Sequence, residues 1–423
     1  MSALLDTDRD LVDRYLELGL ALGRHVEGLV DAYTGPPELA AAVAAGPVVT
    51  PARLADAART LLADLEVDAG LSTGRRHWLA AQVRGLRTTA ARLAGEPLAY
   101  VDEVEACYGV RPRMVPEEVL AEAHRRLDAV LPGDGDLALR YATWREAQAV
   151  PISCLDAAVA SLAEDLRERT WRLFGLPDDE HVDFELVTGQ PWAGFNYYLG
   201  ELRSRVAINV DLPVLSPTLA HLVAHEAYPG HHTEHCRKEI GLVRRRRWLE
   251  ETIFLVGTPQ CLLAEGLADL GLEVVVSPHA EERAEMAASH LRPLGIPFDA
   301  EVVAQVATAG EGLQGVRGNV AMLLHGQGVD PHDAVAYAER WGLLPRPRAE
   351  KLVSFLTDST WRAYITCYVE GLPLCRRFVA GDPARFERLL TEQLTPDQLM
   401  ATAPVTAVGD PTGVGGGSGA ASV

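Results

Sequence analysis

Lysine is nearly missing from this chain. It occurs only at positions 238 and 351 of 423 residues, so the basic charge is almost all arginine, and the net charge is −20. A chain this acidic repels phosphate backbones and anionic lipid, which excludes nucleic acid or a membrane surface as the main partner. Abundant alanine beside the arginine bias points to a GC-rich coding preference, so an arginine cluster carries less information here than elsewhere. Also lacking is any apolar run near the roughly 20 residues that span a bilayer. The amino terminus, MSALLDTDRDLVDRYLELG, has acids where a secretory signal has bases and no apolar core, which reads as a cytoplasmic protein. No CxxC pair occurs among the cysteines at 107, 154, 236, 261, 367 and 375, and without a secretory signal they are expected as reduced thiols. With 48% apolar and 23% charged residues, fibrous and wholly disordered readings are excluded, and there is enough apolar side chain for a large core.

What is present is mostly helical periodicity. Leucine, alanine and valine recur at three- and four-residue spacing over 6–30 and 52–95, and again over 116–131 and 152–174. The Gly-Pro-Pro of AYTGPPEL ends the first helix near Tyr33. From residue 182 the texture changes to VDFELVT, FNYYLG and SRVAINV, short β-branched or aromatic runs separated by turn residues, the one place where a small antiparallel sheet is expected. Helical periodicity returns at Ser216, breaks at Pro229-Gly230 and resumes through 235–275 and, in pieces, to 380. The expected organisation is a helical layer over 1–180, a region over 181–405 that combines the small sheet with the chemistry-bearing helices, and a disordered Gly-rich tail over 406–423.

Five of the 13 histidines fall between His221 and His235, in HLVAHEAYPGHHTEH. Imidazole is the commonest neutral metal ligand, and a His-Glu pair followed by a further His is the pattern of zinc hydrolases, with the Glu as general base. The usual i,i+4 spacing is absent, because position i+4 from His225 is Pro229. In an uninterrupted helix neither His231 nor His232 could share a metal with His225. Proline lacks an N–H and disfavours helix in the residue before it, so the helix must bulge or break there. A bulge absorbing two residues would carry His231 to the i+4 place. His221 and His225 form a competing pair without any bulge. The pair His225/His231 leaves Glu226 directly after a ligand, where a general base is wanted. A third ligand is expected from LLAEGLADLGLE, whose Glu265 and Asp269 share one face of an otherwise apolar helix. Glu265 suits a ligand, and Asp269 suits a partner that orients a histidine.

HEAYPGHH followed by EGLADLGLE resembles the bacterial family known as domain of unknown function 885, placed by similarity in the HExxH zinc-metallopeptidase clan, with its HExxPGHH motif and later EGW segment. The spacing of Glu265 and Asp269 is similar to the ExxxD element of gluzincins, and the insertion before the second histidine is similar to that of dipeptidyl peptidase III. FNYYLGELRSRVAINVDLP, RGNVAMLLH with Arg317 and His325, and YVEG with Tyr368 and Gly371 extend the resemblance to roughly residues 190–375. Leu267 stands where the family has Trp, and Arg362-Ala363-Tyr364 replaces its PGQ segment. The resemblance implies a mostly α, zincin-like fold with a small antiparallel sheet beside the metal helix. It also implies one Zn2+ per chain held by His225, His231 and Glu265, with Glu226 as the general base.

Peptide or amide hydrolysis is the chemistry that follows, on a short peptide or small amide substrate, with non-peptide amides and esters as a variant. Tyr364, Tyr368, Arg317 and His325 are the candidate donors to a developing oxyanion, with Tyr368 preferred. SRVAINV is read either as a strand edge for an extended peptide or as plain structure. Arg244 to Arg247, followed by Glu250 and Glu251, read as a salt-bridged solvated face, and Trp192, Tyr197 and Tyr198 as core or cleft wall. A carboxylate-bridged di-iron site is disfavoured, because no histidine has a Glu three residues before it. A helical protein with a structural metal remains the non-enzymatic alternative.

Overall fold

Leucine and alanine at helical spacing bury one stripe per helix, and here those stripes build two cores. The computed structural model describes residues 2–190, 192–358 and 361–402, so the expected tail over 406–423 lies outside the described residues. Helices Ser2–Gly23, Pro51–Val67 and Thr73–Leu93 enclose one core around Leu16, Leu22, Leu61, Leu65, Trp78 and Leu86. A second, larger core runs from Tyr100 to Leu399 and holds the histidine cluster. The fold is mostly α with little sheet, and among the described residues no helix is long and apolar enough to cross a membrane.

Among the described residues five strands are formed: β1 (Val30–Tyr33), β2 (His181–Val187), β3 (Gly194–Gly200), β4 (Arg203–Asn209) and β5 (Ile253–Leu255). The sheet expected from 182 onward is present, in the order β2-β4-β3. β3 and β4 pair antiparallel, whereas β2 lies parallel to β4 with His181 opposite Arg203. Trp192, Phe195 and Tyr197 pack ring on ring along β3. SRVAINV is β4, the centre of the sheet with both edges paired, so it offers no free edge; β3 is an edge strand instead.

Three expectations are corrected. The first helix stops at Gly23, and residues 30–33 form β1, which pairs antiparallel with β5 in a second sheet of two strands. The stretch 235–275 is not one helix, because after Lys238 it passes through a π turn, a 3₁₀ turn and β5 before becoming helical again. The run Thr-Ile-Phe-Leu-Val over 252–256 is β-branched and apolar, and extended pairing with β1 buries it better than an exposed helix would. β5 inserts Ile253 and Leu255 into the amino-terminal core, tying the two cores together. Glu250 likewise leaves the expected arginine face. It is fully buried and clamped by Arg75 Nε and Nη2 at 2.5 and 2.7 Å.

Four helices carry the site: α1 (Ser216–Glu226), α2 (His231–Lys238), α3 (Pro259–Val275) and α4 (Ile365–Val379). α3 is buried on nearly every side, the position that its all-round apolar sequence requires.

Candidate metal centre

α1 and α2 are one helix interrupted. The Gly230 N–H donates to the Ala224 carbonyl at 2.9 Å and the Thr233 N–H to the Ala227 carbonyl at 3.2 Å. Both bonds span six residues where an α-helix spans four, so Pro229-Gly230 loops out two extra residues. Only glycine fits at 230, because a Cβ would lie 1.9 Å from the His225 carbonyl oxygen. The Pro229 ring is seated against Gly271 of α3. The absorbed pair of residues brings His231 to His225, with their Nε2 atoms 3.2 Å apart.

α3 supplies the third group. Gly266 of α3 and Gly371 of α4 meet backbone to backbone, and a Cβ on Gly266 would stand 2.4 Å from the Gly371 carbonyl oxygen. That close approach sets Glu265 beside Tyr364 and Tyr368. Glu265 Oε2 lies 3.4 Å from His225 Nε2, and Oε1 lies 3.7 Å from His231 Nε2. The Tyr364 hydroxyl donates to Glu265 Oε1 at 2.8 Å, and the Tyr368 hydroxyl donates to that of Tyr364 at 3.3 Å. Asp269, one turn further along α3, accepts from His225 Nδ1 at 2.9 Å and lies 3.3 Å from His221 Nε2.

This donor set fits a metal. A tetrahedral zinc with bonds of about 2.0–2.2 Å separates its ligand atoms by about 3.3–3.5 Å, and the distances here are 3.2, 3.4 and 3.7 Å. Glu265 Oε2 is buried with no hydrogen-bond partner, as is expected of an oxygen that faces a cation. The Nδ1–H of His225 is committed to Asp269, which aims Nε2 into the cluster. His221, His225 and Asp269 form a second, more open trio.

Electrostatics separate the roles. Burial drives the His231 imidazole down to about 4, so it is neutral and free to act as a donor. Burial opposes charge on His225 as well, but the hydrogen bond to Asp269 and the nearby carboxylates raise it well above the ordinary histidine range. Burial pushes the Glu226 carboxyl up to about 7, with His225 opposing and Glu265 and Asp269 reinforcing. Glu226 is 6% exposed, beside Gly194 of β3, where a Cβ would come 3.0 Å from its Oε1. Its backbone carbonyl accepts from Asn196 Nδ2 at 2.6 Å, and the side-chain carboxyl stays uncommitted among the described residues. Burial, then the Glu265 charge, raise the Tyr364 and Tyr368 phenols well above their ordinary value, keeping both as donors.

The remaining sequence candidates sort cleanly. His232 points away into a polar knot with Ser204 and Glu180. The His325 ring donates to the Leu356 carbonyl at 2.7 Å and packs on Tyr100, and Arg317 is exposed. Neither joins the cluster.

Sequence reasoning missed Asp31. It sits at a bulge in β1, since Val30 faces Leu255 while Ala32 already faces Phe254. A bulge re-aims the extra side chain, and here the carboxyl is pushed up to about 7, first by burial and then by Glu265 and Glu226. No local pattern announces it, because the strand is four residues long and its partner is β5.

No protein-family model matches this chain, and no curated protein matches it. Among solved structures it is similar to one described as "the putative lipoprotein from Colwellia psychrerythraea", at 14% identity and a TM-score of 0.49, over 82% of this chain and 65% of that one. It is also similar to a "putative lipoprotein of unknown function from Shewanella oneidensis", at 13% identity and a TM-score of 0.45, over 86% of this chain and 75% of that one. The chain thus spans just under two thirds of the length of the first.

Proposed function

We propose that this chain is a zinc-dependent hydrolase, a metallopeptidase of the zincin-like kind implied by its resemblance to domain of unknown function 885. One observation carries the reading: two imidazole nitrogens and a carboxylate converge beside a buried glutamate with no partner of its own. His225, His231 and Glu265 would hold the ion, which when bound activates water and polarises the carbonyl. With its carboxyl pushed up to about 7, Glu226 is partly ionised near neutral pH, and the ionised form would take a proton from the attacking water and return it to the leaving amine. Asp269 fixes the His225 ring. Tyr368, whose hydroxyl donates to that of Tyr364 at a long 3.3 Å, would turn its O–H to a developing oxyanion instead. The six cysteines are all free, which suits a reducing cytoplasm.

The test joins elemental mass spectrometry to turnover of short peptides and of matched non-peptide amides and esters. Wild type is expected to hold near one zinc per chain. Glu226→Gln is expected to keep that zinc and lose on the order of 10²–10⁴-fold in rate. Zinc retained with a rate independent of Glu226 would make the site structural, and a metal-free protein under metal-replete conditions would end the proposal.

A further inference from the structure

We infer that a cavity beside the second half of α2 is a site for one alkali cation, potassium or sodium, held by Glu234, Glu251 and Gln260. None of these is a proposed zinc ligand, and the inference stands apart from the hydrolase reading.

The cavity lies where α2, the turn before β5 and the first turn of α3 come together, and it offers about 20 Å3, room for a single water-sized occupant. Its wall is rich in oxygen atoms that lack a donor. Glu234 is 2% exposed and Gln260 5%, yet Glu234 Oε2, Glu251 Oε1 and Gln260 Oε1 are all buried with no hydrogen-bond partner. One orphaned acceptor is uncommon in a folded chain, and three around one cavity call for an occupant that brings positive charge.

Counting charge sets the valence. The wall holds three carboxylates and one lysine. Glu239 Oε1 accepts from Arg244 Nε at 2.8 Å, and its other oxygen accepts from the Tyr198 hydroxyl. Glu234 Oε1 accepts from Lys238 Nζ at 2.6 Å, which leaves Oε2 over. Glu251 keeps one neutral amide, Gln260 Nε2 at 3.3 Å from its Oε2, and no ion pair engages it among the described residues. Burial pushes the Glu251 carboxyl up to about 7 even against the charge of Lys238, so the lysine falls short as its counter-ion. Burial also keeps His235, the imidazole of the wall, neutral. One negative charge therefore goes unanswered. A monovalent cation matches it, a divalent one exceeds it, and an anion meets mainly acceptors and an ammonium already bonded. Space then favours a bare ion over an organic ammonium.

Placement gives the ion a structural effect. Glu234 follows His231 by three residues in α2, and Gln260 precedes Glu265 by five in α3. A cation between them braces the two helices that carry those residues.

The test is thermal unfolding of the full chain at about pH 8, where Glu251 is ionised, in potassium, sodium or tetramethylammonium chloride at one ionic strength. Potassium or sodium is expected to raise the midpoint saturably, by about 2 °C at tenfold excess over its Kd. Tetramethylammonium, too large for the cavity, is expected to give no rise. Glu251→Gln keeps the shape and removes the surplus charge, so it is expected to abolish the rise while unfolding no lower than wild type in tetramethylammonium. Gln260→Met keeps the charge and removes one oxygen, and is expected to raise the half-saturating concentration several-fold. In crystals soaked with thallium(I), a potassium stand-in, an anomalous peak is expected between Glu234 and Glu251. Equal midpoints in the three salts would overturn the proposal and leave water as the occupant. A rise that survives in Glu251→Gln would put the ion elsewhere and overturn it as well. The rise is expected with or without zinc bound, so its failure and a failure of the hydrolase reading are separate results.

Discussion

His231 and His232 are consecutive residues on the first turn of α2, and they live in opposite environments. The His232 ring is fully buried, with Ser204 Oγ at 2.8 Å from Nδ1 and Glu180 Oε2 at 2.8 Å from Nε2. The carboxylate can only accept, so Nε2 carries the proton and Nδ1 accepts from the serine. Glu180 is further bonded by the Tyr228 hydroxyl at 2.7 Å and Arg167 Nε at 2.5 Å. Burial works against its charge, but these partners hold its carboxyl below the usual range. Every lone pair on the His232 ring is used. On the His231 side the accounting fails: two Nε2 atoms face each other and a buried carboxylate oxygen has no donor. A satisfied polar knot and a candidate metal site use the same residue types. The deficit of protons tells them apart.

The strongest way to break this contrast is to remove each ring in turn. His231→Ala is expected to lose the zinc outright, read by elemental mass spectrometry, with little change in the urea stability of the metal-free protein. His232→Ala is expected to keep the zinc and lose about 2–4 kcal/mol of stability, because Glu180 stays buried with one partner fewer. The reverse pattern, zinc lost with His232 and kept without His231, would mean that α2 presents the other face to the metal.

How much of this was legible follows from range. The two surplus residues in HEAYPGHH are local, so the break at Pro229-Gly230 follows from helix geometry alone, whereas the preference for His225 with His231 over His221 with His225 rests on the need for a general base directly after a ligand. Choosing His231 over His232 also needs Ser204 and Glu180, 28 and 52 positions away, and no spacing rule connects them. Glu265 was legible because an acid in an otherwise apolar helix has to be explained. Among the four donor candidates Tyr368 is preferred on sequence, which carries no sign of the bond from Tyr364 to Glu265; that bond depends on the Gly266–Gly371 approach. β1 and β5, of four and three residues, are too short to show a period-2 pattern. The pairing that places Asp31 was therefore invisible.

Among the described residues the donor-poor side receives hydroxyl protons only through the tyrosine pair, and the two tyrosines are expected to separate. Tyr368 senses the charge of Glu226 as well as Glu265, whereas Glu226 does not figure among the main charges on Tyr364. Tyr368→Phe is expected to lower kcat about 100-fold with zinc unchanged. Tyr364→Phe frees Glu265 Oε1 and is expected to weaken zinc about tenfold. Steady-state kinetics beside competitive chelator titration distinguish them, and a Tyr368→Phe variant with wild-type kcat would remove that residue from the site.

The smallest effect sharpens the comparison most, because it decides between the two histidine trios. Asp269 accepts from His225 Nδ1 and also lies near His221, whose side chain is 44% exposed against 11% for His225. If Asp269 works by orienting His225, Asp269→Asn should weaken zinc by about 10- to 100-fold without abolishing it. His221→Ala should then cost less than about threefold, the scale of an exposed ion pair. Were the ion held instead by His221, His225 and Asp269, those two variants would both strip the zinc and His231→Ala would spare it. The chelator titration that reads a tenfold change would read that reversal as well. A reversal would also put the proton deficit around His231 and Glu265 outside the metal site, leaving that buried cluster without a counter-charge.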